Sequence, residues 1–319
     1  MRCFYSWFAT LLLAPTLFGA NAKLERTIAP EAAVNFTEIS PKGDFLAGAC
    51  KDGQVRLWTF PGGELRQAFS LQDQRITNLR FSDDGAWLAV GGNLGAVKIW
   101  TVSTGKLKAE LKVGEAVDGL AFSPDKTLLA VARHEVPAEL WDLTVGRVIT
   151  ELPAKFSGSA AVAFSPDGHW LASADTDTQI RIYESTTGAL RATTTDLLLE
   201  SFAIAFSADS KSLYAGGADK TISVIDVATG KITKSFPKQP FVVGGLLTSQ
   251  NGKFLAAGYF DEKSFRNPAP VLAWDLTSDS IHSTFSENDI TPNGCGILND
   301  GRMLVTASSG PKLQIWSVR

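Results

Sequence analysis

Histidine and cysteine are scarce in this chain, three of each in 319 residues, and that scarcity removes whole classes of chemistry. No His, Cys, Asp and Glu cluster has the spacing of a zinc site. No glycine-rich loop follows a strand and opens a helix in the way that cradles phosphate. No G-x-S-x-G elbow marks a serine hydrolase. No metal or other cofactor is therefore expected. A basic block is missing too: 30 Lys and Arg stand scattered against 33 acids, for a net charge of −3. A phosphate backbone needs a positive patch to neutralise it, so nucleic acid is not an expected partner.

What is present begins with a distinct N-terminus. Arg2, an apolar stretch from Phe4 to Phe18 broken by Ser6, Thr10, Pro15 and Thr16, and the run Ala20-Asn21-Ala22 form the three parts of a secretory signal peptide. Cleavage is expected after Ala22. The apolar core is shorter than the roughly 20 residues of a spanning helix, so no membrane span is expected once the leader is removed. The remaining chain is then expected to be periplasmic or secreted. Such a compartment permits a disulfide between Cys50 and Cys295. Each of the two sits in a strand pattern that suits a small apolar residue, which favours two buried thiols.

From residue 34 onward one unit repeats. Its clearest copy is Ala163-Phe164-Ser165-Pro166-Asp167-Gly168-His169-Trp170-Leu171-Ala172, and weaker copies bring the number to seven. In Ser-Pro-Asp-Gly the proline fixes φ, the aspartate bonds its own backbone and the glycine accepts positive φ, which makes a turn. About nineteen residues after the aromatic of each turn comes Trp58, Trp100, Trp141, Tyr183, Ile225, Trp274 or Trp316, at intervals of 42, 41, 42, 42, 49 and 42. Segments such as Ile180-Arg181-Ile182-Tyr183 alternate apolar and polar residues, as a strand with one buried face does. Leucine holds one slot in all seven units, from Leu46 and Leu88 through to Leu304, and is expected to fill the same hole between stacked sheets.

A period near 42 with four short strands is the spacing of propeller blades. With Trp141-Asp142 and Trp274-Asp275 in the tryptophan slot, residues 23–319 resemble the WD40 repeat family. That resemblance implies an all-β, seven-bladed propeller of four antiparallel strands per blade, forming a single domain that binds protein and is monomeric on its own. The chain stops one strand short of a full last blade, and Lys23-Leu24-Glu25-Arg26-Thr27-Ile28 has the pattern of the missing strand. It is expected to close the ring and leave no long unpaired edge. The chain departs from the family in its polar network. A turn aspartate appears in three units, as Asp52, Asp177 and Asp219, while the usual Gly-His pair is absent from all seven. With an export signal, so degenerate a set is similar to bacterial envelope propellers.

The expected binding face carries the loops entering each blade and the hairpins between strands two and three. Blade six has seven extra residues there, placing Phe260, Phe265 and Arg266 among aromatic and arginine types that dominate interface energetics. Arg133 and His134, Phe156, Leu197 to Leu199, Phe241 and Arg75 fall on the same face. The leading expectation is a non-catalytic scaffold of the cell envelope or exterior. The alternative is a hydrolase or lactonase at the channel mouth, using His134 with Glu135, Asp175, Asp177 or Asp261. A structural part of an envelope assembly is a third option. His169 and His282 are placed in a turn on the opposite face and in an outer strand. Asp175-Thr176-Asp177 has only a fragment of a calcium loop and reads better as a solvated turn.

Overall fold

The computed structural model describes residues 22–72, 74–154, 158–194, 197, 199–249, 251–260, 270–285, 290–297, 303–308 and 311–318. The expected leader therefore lies almost wholly outside the described residues. Within them are 28 strands and no helix, arranged as seven sheets of four antiparallel strands. Six blades are simple meanders spanning 34–70, 76–112, 117–151, 159–194, 201–235 and 242–285. The seventh takes three strands from residues 290–318 and its outer strand from Ala22–Ile28. Leu24 pairs with Trp316 and Ile28 with Leu313, so the two ends of the chain close the ring as expected.

The leucine and tryptophan slots are one feature seen twice. Leu46, Leu88, Leu129, Leu171, Leu213, Leu255 and Leu304 lie directly opposite Trp58, Trp100, Trp141, Tyr183, Ile225, Trp274 and Trp316 on the neighbouring strand. All seven leucines have 0% exposure. Each row forms cross-strand pairs within a blade, and stacking the blades buries both faces of it. Just before the third-strand residue of that row, six blades shift register against strand four, for example between Ile99 and Trp100. Such bulges add the right-handed twist a propeller blade needs.

The turn between strands one and two is built around its serine. Ser82, Ser123, Ser165 and Ser207 each donate Oγ to the carboxylate two residues on and accept the backbone N–H five residues on. Gly85 and Gly168 supply positive φ there, and Lys126 and Ser210 adopt the same conformation where glycine is missing. The aspartate of the WD dipeptide caps the next turn: Asp142 accepts from the backbone N–H and the hydroxyl of Thr144, and Asp275 does the same with Thr277.

The polar residues of strand three need a correction. The alternation in Ile180-Arg181-Ile182-Tyr183 suggests that arginine faces water, yet Arg56, Lys98, Glu139 and Arg181 are all buried. Both faces of that strand are covered, because a neighbouring blade packs on each side. Cys50 is buried and free, with Sγ 3.7 Å from the Gly48 carbonyl oxygen. The side chain of Cys295 lies outside the described residues.

Candidate functional site at the channel mouth

The loops entering each blade and the two-three hairpins share one face and are stapled together. Lys51, Asn93, His134, Thr176 and Ala218 donate backbone N–H to the carbonyls of Ala33, Arg75, Ala116, Gly158 and Glu200. The contact is close enough to demand glycine: a Cβ on Gly217 would lie 1.9 Å from the Glu200 oxygen, and one on Gly158 2.3 Å from the Glu135 nitrogen. These staples hold the tips of neighbouring loops in a fixed array around the axis.

That array opens on a cavity of about 710 Å³ along the channel. Its described wall comes chiefly from the first strands of blades one to six and includes Glu38, Arg80, Asp118 and Phe202, with Phe260 from the second strand of blade six. Glu38 accepts the Phe81 backbone N–H at 2.8 Å and faces the Arg80 guanidinium at 3.3 Å. Burial pushes its carboxyl up to about 7, against the pull of Arg80. At the rim, Asp118 Oδ2 lies 2.9 Å from His134 Nδ1. Their hydrogen bond raises the histidine, while burial lifts Asp118 further than the imidazole lowers it. His134 Nε2 has Glu135 at 4.0 Å, and the ring is exposed.

The sequence-expected residues separate into four groups. His134 and Phe260 both lie on the channel-mouth face, on blades three and six, and Phe260 packs tilted against Phe202 with ring centroids 6.2 Å apart. Phe241 is half-buried and packs on the cluster that contains Tyr259 and Trp274. Phe156, Phe265 and Arg266 lie outside the described residues. Arg133 turns inward: its guanidinium binds Glu139 and Glu151 at 2.7 Å each, and Nε donates to the Pro137 carbonyl. With those donors spent and only 7% of the residue exposed, it has little to offer a partner.

Asp175 and Asp177 are not a solvated turn. Both bind the Arg181 guanidinium, and Asp175 is 1% exposed. Asp52 holds Arg56 in the same way, so arginine takes up two of the three turn aspartates that lack a histidine partner. The third, Asp219, binds Thr221. His169 lies beside Asp167 on the opposite face, and His282 stacks on Phe254. Among the described residues, no group of three or more metal-ligating side chains forms and no helix is long and apolar enough to cross a membrane.

Sequence reasoning missed Leu94 and Phe202. Leu94 is 66% exposed at the tip of the blade-two hairpin on this face, and Leu199, in the loop entering blade five, is 48% exposed. An apolar side chain next to glycine in a tight turn, as in Asn93-Leu94-Gly95, was the available signal.

Comparison with known proteins agrees with the fold and corrects the setting. Residues 40–116 match the family model for the anaphase-promoting complex subunit 4 WD40 domain, and residues 146–184 and 200–226 match the WD domain, G-beta repeat. Over 80 residues, a quarter of this chain, it is 31% identical to the pre-rRNA-processing protein IPI3 of Mycosarcoma maydis, covering 14% of that protein. Over 87 residues, 27% of this chain, it is 33% identical to the pre-rRNA-processing protein crb3/ipi3 of Schizosaccharomyces pombe, covering 19% of it. The match thus spans less than a fifth of either relative. Both relatives are eukaryotic, so the likeness to bacterial envelope propellers has no support. Pre-rRNA is processed inside cells, and this overturns the expectation of a periplasmic or secreted protein. The chain is a seven-bladed β-propeller that matches WD40-repeat models over parts of its first five blades.

Proposed function

We propose that the protein is a non-catalytic scaffold that holds a partner protein on the face around the channel mouth. One observation carries this reading: the face around the channel mouth carries exposed apolar residues, Leu94 of blade two and Leu199 at the entry to blade five, together with the Phe202–Phe260 pair, on loops held by backbone staples. Apolar anchors on a pre-ordered frame bind with little loss of conformational freedom. The names of the two relatives support a setting in a multi-protein process such as pre-rRNA processing, with this chain contributing one domain's surface.

The test is quantitative capture of partners from the native cell by wild type and by Leu94→Asp/Leu199→Asp/Phe260→Ala. Lys211→Glu/Lys253→Glu, on the opposite face, serves as the control. The first variant is expected to lose its stoichiometric partner by about tenfold or more in affinity, roughly 1.4 kcal/mol, while the control keeps it. Loss in the control alone contradicts the placement.

A second reading, a hydrolase at the channel mouth, draws on the His134–Asp118 pair, since a carboxylate that orients a histidine is half of a general-base arrangement. On that reading His134→Ala abolishes turnover of any substrate found. Full turnover in that variant excludes it.

A further inference from the structure

The channel wall is two-sided. Blades one to three contribute its polar half, with Asn35, Glu38, Asn78, Arg80 and Asp118. Blades four to six contribute its apolar half, with Val162, Phe202, Ile204, Leu246 and Phe260. A volume of about 710 Å³ falls in the range of small-molecule sites, which combine apolar walls with a few convergent polar groups.

The charge of the polar half is unevenly met. Glu38 and Asp118 line the main cavity, and Asp83 lines a smaller one of about 140 Å³ that shares Arg80 with it. Arg80 faces Glu38 at 3.3 Å, and Arg75 borders the channel at its mouth. With Arg75 also on the wall of the main cavity, three carboxyl groups face two guanidiniums. Thr37, which also borders the cavity, is 5% exposed, and its Oγ1 has no hydrogen-bond partner. A buried hydroxyl without a partner is costly, and a ligand donor would satisfy it. The Phe202–Phe260 pair places two π faces near the mouth, which attract cations.

We infer that the axial channel binds an amphipathic organic cation, with its apolar body on the wall of blades four to six and its ammonium or guanidinium group toward Glu38 and Asp118. A bare metal ion fits poorly, because the carboxyl groups do not gather into a metal-ligating cluster among the described residues. An anion meets more carboxylate than guanidinium. Burial raises Glu38, Asp83 and Asp118 alike, so a cation that stabilises their charged forms would draw protons off the site. The cation has two possible sources, a free amine or the basic side chain of a docked protein. The inference concerns the channel interior and does not depend on partner docking at the loop tips.

The test is calorimetric titration of the full chain with three matched probes: phenethylammonium, phenethyl alcohol and phenylacetate. The cation is expected to bind at least about tenfold more tightly than the other two. Binding near pH 7 is expected to release protons, read from buffers of differing ionisation enthalpy. Glu38→Gln keeps an oxygen for the Phe81 N–H and is expected to weaken the cation several-fold while leaving the melting temperature within a few degrees. Phe202→Ala is expected to weaken all aromatic probes alike. N-acetylarginine amide binding as tightly as phenethylammonium assigns the source to a protein side chain, and weaker binding assigns it to a free amine; both uphold the site. Equal or tighter binding of phenylacetate overturns the inference. So does proton uptake, or the absence of saturable binding by the cation. Because the readout is direct binding, it fails independently of the partner-capture test.

Discussion

Two kinds of carboxyl group give this molecule opposite responses to pH. The turn aspartates are held low: hydrogen bonds from Lys126, the Ala86 N–H and Ser82 outweigh burial and bring Asp84 down to about 2. Stability from such groups is present above the unfolded carboxylate range and is lost as pH falls through the folded value. Glu38, raised to about 7 by burial, works the other way. The folded state keeps a proton that the unfolded chain releases, so its contribution is full below pH 4.5 and is lost as pH rises toward 7. Denaturant titrations at a series of pH values are expected to show falling stability from pH 4.5 to 7, and Glu38→Gln is expected to flatten that slope. An unchanged slope rules Glu38 out as its source. Backbone strain gives a second test. Thr178 sits at φ 65°, where a β-branched residue is disfavoured, at the tip of the blade-four hairpin. Thr178→Gly is expected to stabilise the protein by about 1 kcal/mol, the αL penalty less the entropy that glycine adds to the unfolded chain. Neither Glu38 nor Thr178 was legible in the sequence, because burial beside a neighbouring blade and the sign of φ depend on the closed ring.

At the scale of the strand, the repeated slots were legible because each blade must fill the same hole. The Leu–Trp rows appear in sequence as a fixed leucine and a bulky residue at a constant interval, and in space as direct cross-strand partners. Which members of a row carry stability was not legible. In blade two, Leu88 is fully buried, while Leu107, beside Trp100 on the outer strand, is 50% exposed. Leu88→Ala is expected to cost about 3 kcal/mol in urea unfolding, and Leu107→Ala less than about 0.5 kcal/mol. Equal losses would mean that the rows do not act as inter-blade core. Strand Ala22–Ile28 was legible from its likeness to other outer strands, and it is the one element whose pairing joins the two ends of the chain. Its removal exposes the Trp316 row and frees a sheet edge. Truncation before residue 29 is expected to lower the melting temperature by more than about 10 °C, since each 1 kcal/mol is worth roughly 2–4 °C in a chain somewhat smaller than this. A change of only a few degrees would contradict ring closure by this strand.

For the whole molecule, the period of 42 and its single interval of 49 announced the ring and pointed to one enlarged loop. They did not show which side chains the ring gathers at its axis. Arg133 looked available and is buried in ion pairs, whereas Phe202, which the repeat pattern did not single out, lines the channel. Such differences arise because a propeller strand has neighbours on both sides, and an alternating pattern cannot say which polar residue meets water. The expected setting did not hold: a periplasmic or secreted protein was expected, whereas the chain is similar over about a quarter of its length to pre-rRNA-processing proteins. The central claim is that the closed ring presents one face, the rim of the channel mouth, to a partner. Hydrogen exchange of the chain alone and with its captured partner tests this most directly. The account predicts protection concentrated in the loops around residues 93–95, 134–135, 199–202 and 218–221. Protection confined to the turns at 41–44, 83–86, 124–127 and 166–169 would contradict it.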